Sequence, residues 1–195
     1  MNPDNNVKII KNFVNEEYLK ELNFWTLNNY KSAYFTDANM GVPSTRLTTR
    51  YAGKDINFSY PKVAYNIKNK IIECLNISNK YMSPPVGKDS IINGIGFDGG
   101  DIFEHTDPIW FPNTYTIHCN IITQKSLKGG VTIIENKEYD INVGDLLIYN
   151  VSHLKHKVTL IEGTLPRILW VFGFSVNFNT LTKIFNKNKN TFDYS

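Results

Sequence analysis

The second half of the chain most constrains what it can fold into. From Ser90 onward come SIINGIGF, TYTIHCNIIT, GVTIIE, YDINVGD, LLIYN, HKVTLIE and RILWVFGF, short runs rich in Ile, Val, Thr and aromatic residues. Turn-forming Gly, Asn and Asp separate them at intervals near the roughly 8–12 residues of sandwiches and barrels. Runs this short satisfy their backbone polar groups only by pairing with one another, which predicts a mostly β core of jelly-roll type.

The first half reads differently. Asn15 is a good N-cap, Glu16 and Glu17 suit a first helical turn, and Leu19, Leu22 and Trp25 follow at helical spacing. This predicts an amphipathic helix over residues 16–29. A second helix is expected to open at Pro61, with Val63, Ile67, Ile71 and Leu75 forming its apolar face. The polar connection from Ser32 to Tyr60 is broken by Gly41, Pro43 and Gly53, carries Arg46 and Arg50, and is long enough to be a substrate lid. The expected organisation is one domain over 1–195. It has a helical and loop-rich front (1–89), a jelly-roll core (90–176) braced by two N-terminal helices, and a polar tail (177–195) read as a solvated helix or frayed end.

Charge and composition narrow the function classes. A net charge of +3, with 21 basic residues scattered against 18 acidic ones, gives no broad basic surface for nucleic acid. Cys74 and Cys119 lie in apolar runs without a partner motif, as expected of free thiols in a reducing compartment. The N-terminus has neither a basic nor an apolar signal region, and the longest apolar runs, such as Ile168–Phe174, are too short to span a bilayer. The expectation is a cytoplasmic protein with no membrane partner.

The chain has only 4 histidines, and one stands in His105-Thr106-Asp107. In extended backbone, residues i and i+2 point the same way, so His105 and Asp107 can reach one ion together. Ferrous iron that activates oxygen is held by two His and one carboxylate, with other positions open. A third ligand has to come from a distant segment, where YNVSHLKHKV offers His153 and His156. His153 falls in a polar turn. His156 starts the next strand-like alternation and is the better ligand, since sites sit best on rigid elements. His118 reads as a core or pocket-lining residue. Arg167 opens the most apolar run of the chain. A guanidinium there either pairs with a nearby acid such as Glu162 or receives a carboxylate from outside.

Taken together, GGDIFEHTD, GGVT (Gly129, Gly130, Thr132), GDLLIYN, His156-x-Val158 and the distal Arg167 resemble the iron(II)- and 2-oxoglutarate-dependent oxygenases, prolyl-hydroxylase-like members in particular. The resemblance spans about Ser90 to Phe174. It implies a double-stranded β-helix fold, with His105, Asp107 and His156 as iron ligands and Arg167 binding the distal carboxylate of 2-oxoglutarate. It also implies O2 as oxidant and release of succinate and CO2. Relatives often carry a co-substrate-binding tyrosine about ten residues before the first ligand, where this chain has Ile95; Asn120, on the TYTIHCN strand, is the expected replacement. Trp110, Phe111 and Tyr115 are expected near the pocket rim. The resemblance implies a hydroxylase acting on a protein side chain or a small molecule. Alternatives are an AlkB-like nucleic acid demethylase, for which PSTRLTTRYAG and Asn93 speak and Gly173 speaks against, and a non-catalytic jelly-roll binding protein.

Overall fold

The computed structural model describes residues 6–30, 34–35, 48–50, 59–77 and 90–186. Most of Ser32–Tyr60, including Arg46, and the tail beyond Asn186 lie outside the described residues.

Strand β1 (Val7–Ile10) and helix α1 (Glu16–Asn29) open the chain, followed by β2 (Tyr34–Phe35), β3 (Thr48–Arg50) and α2 (Lys62–Leu75). The core strands are β4 (Ile91–Gly96), β5 (Ile102–His105), β6 (Tyr115–Gln124), β7 (Lys128–Gly129), β8 (Thr132–Ile134) and β9 (Lys137–Tyr139). They continue with β10 (Leu146–Asn150), β11 (His156–Val158), β12 (Ile161–Glu162) and β13 (Arg167–Val176), and α3 (Phe178–Asn186) follows. A seven-stranded sheet in the order β1-β10-β6-β13-β4-β3-β2 faces a four-stranded sheet, β5-β11-β8-β9, and β12 pairs with β7.

Both N-terminal helices form where the sequence predicts them. The Asn15 side chain caps α1 by accepting from the Tyr18 N–H at 2.9 Å. Pro61 is the extended N-cap of α2 rather than its first helical residue. The helices cover the outer face of the large sheet. Leu22 of α1 and Val63, Ile67 and Ile71 of α2 bury against Ile91, Ile117 and Phe172. Trp25, Tyr60 and Trp170 meet there with ring centroids 5.4–5.7 Å apart. The tail begins as a further amphipathic helix, α3, whose Leu181 and Ile184 join the same core.

One expectation fails. Of YDINVGD only Tyr139, the end of β9, is in a strand; the rest is a turn, because Asp145 folds the backbone back on itself. Its fully buried carboxylate accepts from the Asn142 N–H at 3.1 Å, while Gly144 adopts φ +84°. The same carboxylate takes the Asn12 N–H at 3.0 Å and Lys11 Nζ at 2.7 Å, tying the β1–α1 connection to the entry of β10.

Asp145→Ala leaves two backbone N–H groups without these acceptors. It is expected to cost about 2–4 kcal/mol in urea unfolding, with Asp145→Asn intermediate. A loss below about 0.5 kcal/mol would show that the carboxylate does not hold this junction.

Candidate metal centre

The cavity between the two sheets follows from alternation along the strands. On β13 the even-numbered residues Ile168, Trp170 and Phe172 face the helices, while Arg167, Leu169 and Val171 line the cavity. On β4, Ile92, Gly94 and Gly96 line it and Ile95 points into the helix-side core. The position taken for the missing tyrosine therefore faces away from the site. Its neighbours Gly94 and Gly96 line the cavity without side chains.

His105 and His156 are direct cross-strand partners on β5 and β11, with ring centroids 4.3 Å apart. Each ring is steered by its own backbone. His105 Nδ1 lies 2.7 Å from Phe103 O, and His156 Nδ1 lies 3.1 Å from Leu154 O. A carbonyl only accepts, so both histidines carry their proton on Nδ1 and are left with an Nε2 lone pair. Asp107 follows β5, held by its backbone N–H to Val151 O at 2.8 Å. Its Oδ1 lies 3.7 Å from His105 Nε2 and its Oδ2 lies 3.8 Å from His156 Nε2. One ligand atom from each of the three falls within 4.8 Å of the others, close enough to hold a single metal ion.

Electrostatics favour the neutral ligand form. Burial lowers the His156 pKa to about 4, opposed by the Asp107 carboxylate and reinforced by His105. At neutral pH this imidazole is therefore an uncharged lone-pair donor.

Arg167 enters the same cavity from β13 and is 6% exposed. Its Nη2 donates to Thr132 Oγ1 at 3.2 Å, and its Nε has no hydrogen-bond partner among the described residues. Burial lowers its pKa to about 10, so it remains charged at neutral pH. Glu162 is not its partner: that carboxylate pairs with Lys128 Nζ at 2.9 Å. Among the described residues no carboxylate neutralises Arg167. The GGVT turn lets the arginine pass, because a Cβ on Gly130 would lie 2.8 Å from Arg167 Cδ.

Asn120 also lines the cavity and donates from Nδ2 to the hydroxyl of Tyr149 at 3.2 Å. Tyr149, from β10, is the site residue that sequence reasoning missed. Its only signal is the alternation in LLIYN, which puts it on the face of Leu147. Burial, and after it the charge of Asp107, pushes its hydroxyl pKa well up, so it stays protonated. His118 lines the cavity as expected. His153 does not: its ring packs on Tyr115 at 5.1 Å in a separate groove that Phe178 also lines. Tyr115 thus lies away from the cavity, while Ile109, Trp110 and Phe111 are exposed on the segment after Asp107. Asn93 lies on the helix-side face of β4, donating to Leu169 O at 3.3 Å.

No family profile matches the sequence, and no curated protein does either. Solved structures match over most of the chain. A Trichoplax adhaerens prolyl hydroxylase, in complex with a peptide fragment of the hypoxia inducible factor oxygen degradation domain, superimposes with TM-score 0.65 at 17% identity, covering 91% of this chain and 86% of that one. The fold is that of the 2-oxoglutarate oxygenases. The viral collagen prolyl hydroxylase of Paramecium Bursaria Chlorella virus-1, in its 2-oxoglutarate complex, gives TM-score 0.58 at 11% identity over 88% of this chain and 96% of that one. HygX from Streptomyces hygroscopicus, with nickel and 2-oxoglutarate bound, gives 0.59 at 9% identity over 89% and 84%. The double-stranded β-helix expected from the sequence is thereby found. Among the described residues no helix is long and apolar enough to cross a membrane.

A buried, unneutralised guanidinium costs stability that an apolar side chain would not. Arg167→Met is expected to stabilise the ligand-free protein by about 1–3 kcal/mol, read as a higher Tm. An unchanged or lower Tm would mean that the Thr132 contact already compensates the charge.

Proposed function

We propose that this chain is an Fe(II)- and 2-oxoglutarate-dependent dioxygenase, a single oxygenase domain over residues 1–195. It hydroxylates a protein side chain or a small metabolite and releases succinate and CO2. The observation that carries the reading is one cavity holding both a His-Asp-His cluster and a buried arginine that has no acid partner among the described residues. In this reading His105, Asp107 and His156 hold iron, and Arg167 receives the distal carboxylate of 2-oxoglutarate.

The donor set fits the ion: two imidazoles with Nε2 turned inward and one carboxylate, the combination that suits non-haem ferrous iron. When bound, the metal would supply activation of O2, coupled to oxidative decarboxylation of 2-oxoglutarate. The chain itself supplies orientation and exclusion of water. Arg167 fixes the far end of the co-substrate with charge-assisted hydrogen bonds, and Asn120 lines the space beside it together with Tyr149. Val158, Leu169 and Val171 make the cavity wall apolar.

Exposed Ile109, Trp110 and Phe111, at 38–51%, follow Asp107 directly and favour a substrate that brings apolar surface. The peptide held by the Trichoplax adhaerens enzyme is consistent with a protein substrate, and the hygromycin B bound to HygX with a small molecule. The nucleic acid reading loses Asn93, which faces away from the cavity. The free thiols Cys74 and Cys119 support a cytoplasmic setting.

Anaerobic calorimetry tests this. 2-Oxoglutarate is expected to bind in the presence of Fe(II) and not with Asp107→Ala. His156→Ala should abolish metal-dependent binding, and His153→Ala should preserve it. Arg167→Ala should weaken 2-oxoglutarate about 10- to 150-fold while metal binding persists. Absence of any metal-dependent binding in the unaltered protein would reject the oxygenase reading.

A further inference from the structure

The fourth histidine is the imidazole nearest to Asp107 and has no role in the site as described so far. His118 comes from β6 on the large sheet, whereas His105 and His156 come from the small sheet across the cavity. Its Nε2 lies 3.5 Å from Asp107 Oδ2, closer than either His105 or His156 lies to that carboxylate. It is not part of the compact ligand group. Its ring stands edge-on to Tyr149, at 84° and 6.2 Å between centroids. Gly173 is its cross-strand partner on β13, so no side chain there competes for the space over the ring.

We propose that His118 is a positioning residue for the metal centre: its Nε2 stands 3.5 Å from Asp107 Oδ2, an ion-pair separation just outside hydrogen-bond geometry, and when the metal binds it donates Nε2–H to that oxygen and so leaves Oδ1 to face the ion. The proposal rests on the metal-binding reading above.

Asp107 is the ligand that most needs such a partner. It stands beyond the end of β5, and its side chain is 24% exposed, against 15% for His105 and 8% for His156. The two ligand histidines are oriented through Nδ1 to their own backbone, a device a carboxylate does not have. A second carboxylate rotamer would turn Oδ1 away from the ion, and bidentate ligation would use both oxygens on it. A fixed donor on Oδ2 disfavours both. The arrangement requires His118 to carry its proton on Nε2, the opposite tautomer to the ligand histidines.

The test is anaerobic titration of the full chain with Co(II), whose visible absorption reports ligand number and geometry. His118→Leu removes the donor with little change of volume, and His118→Gln returns an N–H at similar reach. The unaltered protein should bind Co(II). His118→Leu should weaken that affinity about 10- to 100-fold and alter the spectrum, and His118→Gln should recover most of both. In an Asp107→Ala background, His118→Leu should change Co(II) affinity by less than about twofold, because the two residues act as one unit. The Tm of each metal-free variant, close to that of the unaltered protein, separates this from a folding defect.

Unchanged Co(II) affinity and spectrum in His118→Leu would overturn the proposal. So would a full further loss in the Asp107→Ala background, which would make His118 a ligand in its own right. If the unaltered protein binds no Co(II), the metal-binding reading itself fails, and that result is distinct from the other two.

Discussion

Everything in this molecule depends on the large sheet having both faces covered by different things. β6 and β13 run antiparallel over nearly their whole length, from Ile168 to Val176, and form its centre. Side chains alternate across a strand, so each strand has to serve two environments at once. One face meets α1, α2 and α3 with Ile, Phe and Trp and supplies the bulk of the buried apolar area. The other faces the small sheet across a gap that is only partly filled. The helix-side packing is what allows the opposite face to carry His118, Asn120, Tyr149 and Arg167, groups that would weaken a core made of that face alone.

The small sheet has the complementary task. Its strands are short and contribute few apolar contacts, but they fix rotation. The β5–β11 register makes His105 and His156 cross-strand neighbours, and each imidazole is then held by a carbonyl two residues earlier in the chain. The proposed metal centre needs convergence of lone pairs more than bulk packing. Here the backbone ladder achieves it for the histidines. Asp107, outside the ladder, is reached by His118 from the facing sheet, so the two sheets are coupled through the site.

Buried charge is distributed according to use. Asp145 is enclosed by three donors and holds a structural junction. Arg167 is almost as buried but has a single threonine as hydrogen-bond partner among the described residues. The first satisfies the ordinary rule that buried charges are paired; the second breaks it. A violation inside a cavity, in an otherwise consistent fold, is the physical ground on which Arg167 is proposed as a ligand contact.

The sequence by itself determined the two N-terminal helices, the order of most core strands, the His105-x-Asp107 pair, the preference for His156 and the oddity of Arg167. Each of these is written in local terms: cap residues, period, or a charge in an apolar run. It misread YDINVGD because the apolar alternation there is real, and only the long-range contacts of Asp145 with Lys11 and Asn12 convert the segment into a turn. It misjudged Ile95 because a count of residues does not fix which face of β4 a residue occupies until the strand has a partner. Tertiary structure alone decided that Tyr149 and His118 enter the cavity, that His153 leaves it, and that Glu162 is already taken by Lys128. Those outcomes depend on register between strands far apart in the chain, and a shift of one residue would have turned every side chain to the opposite face.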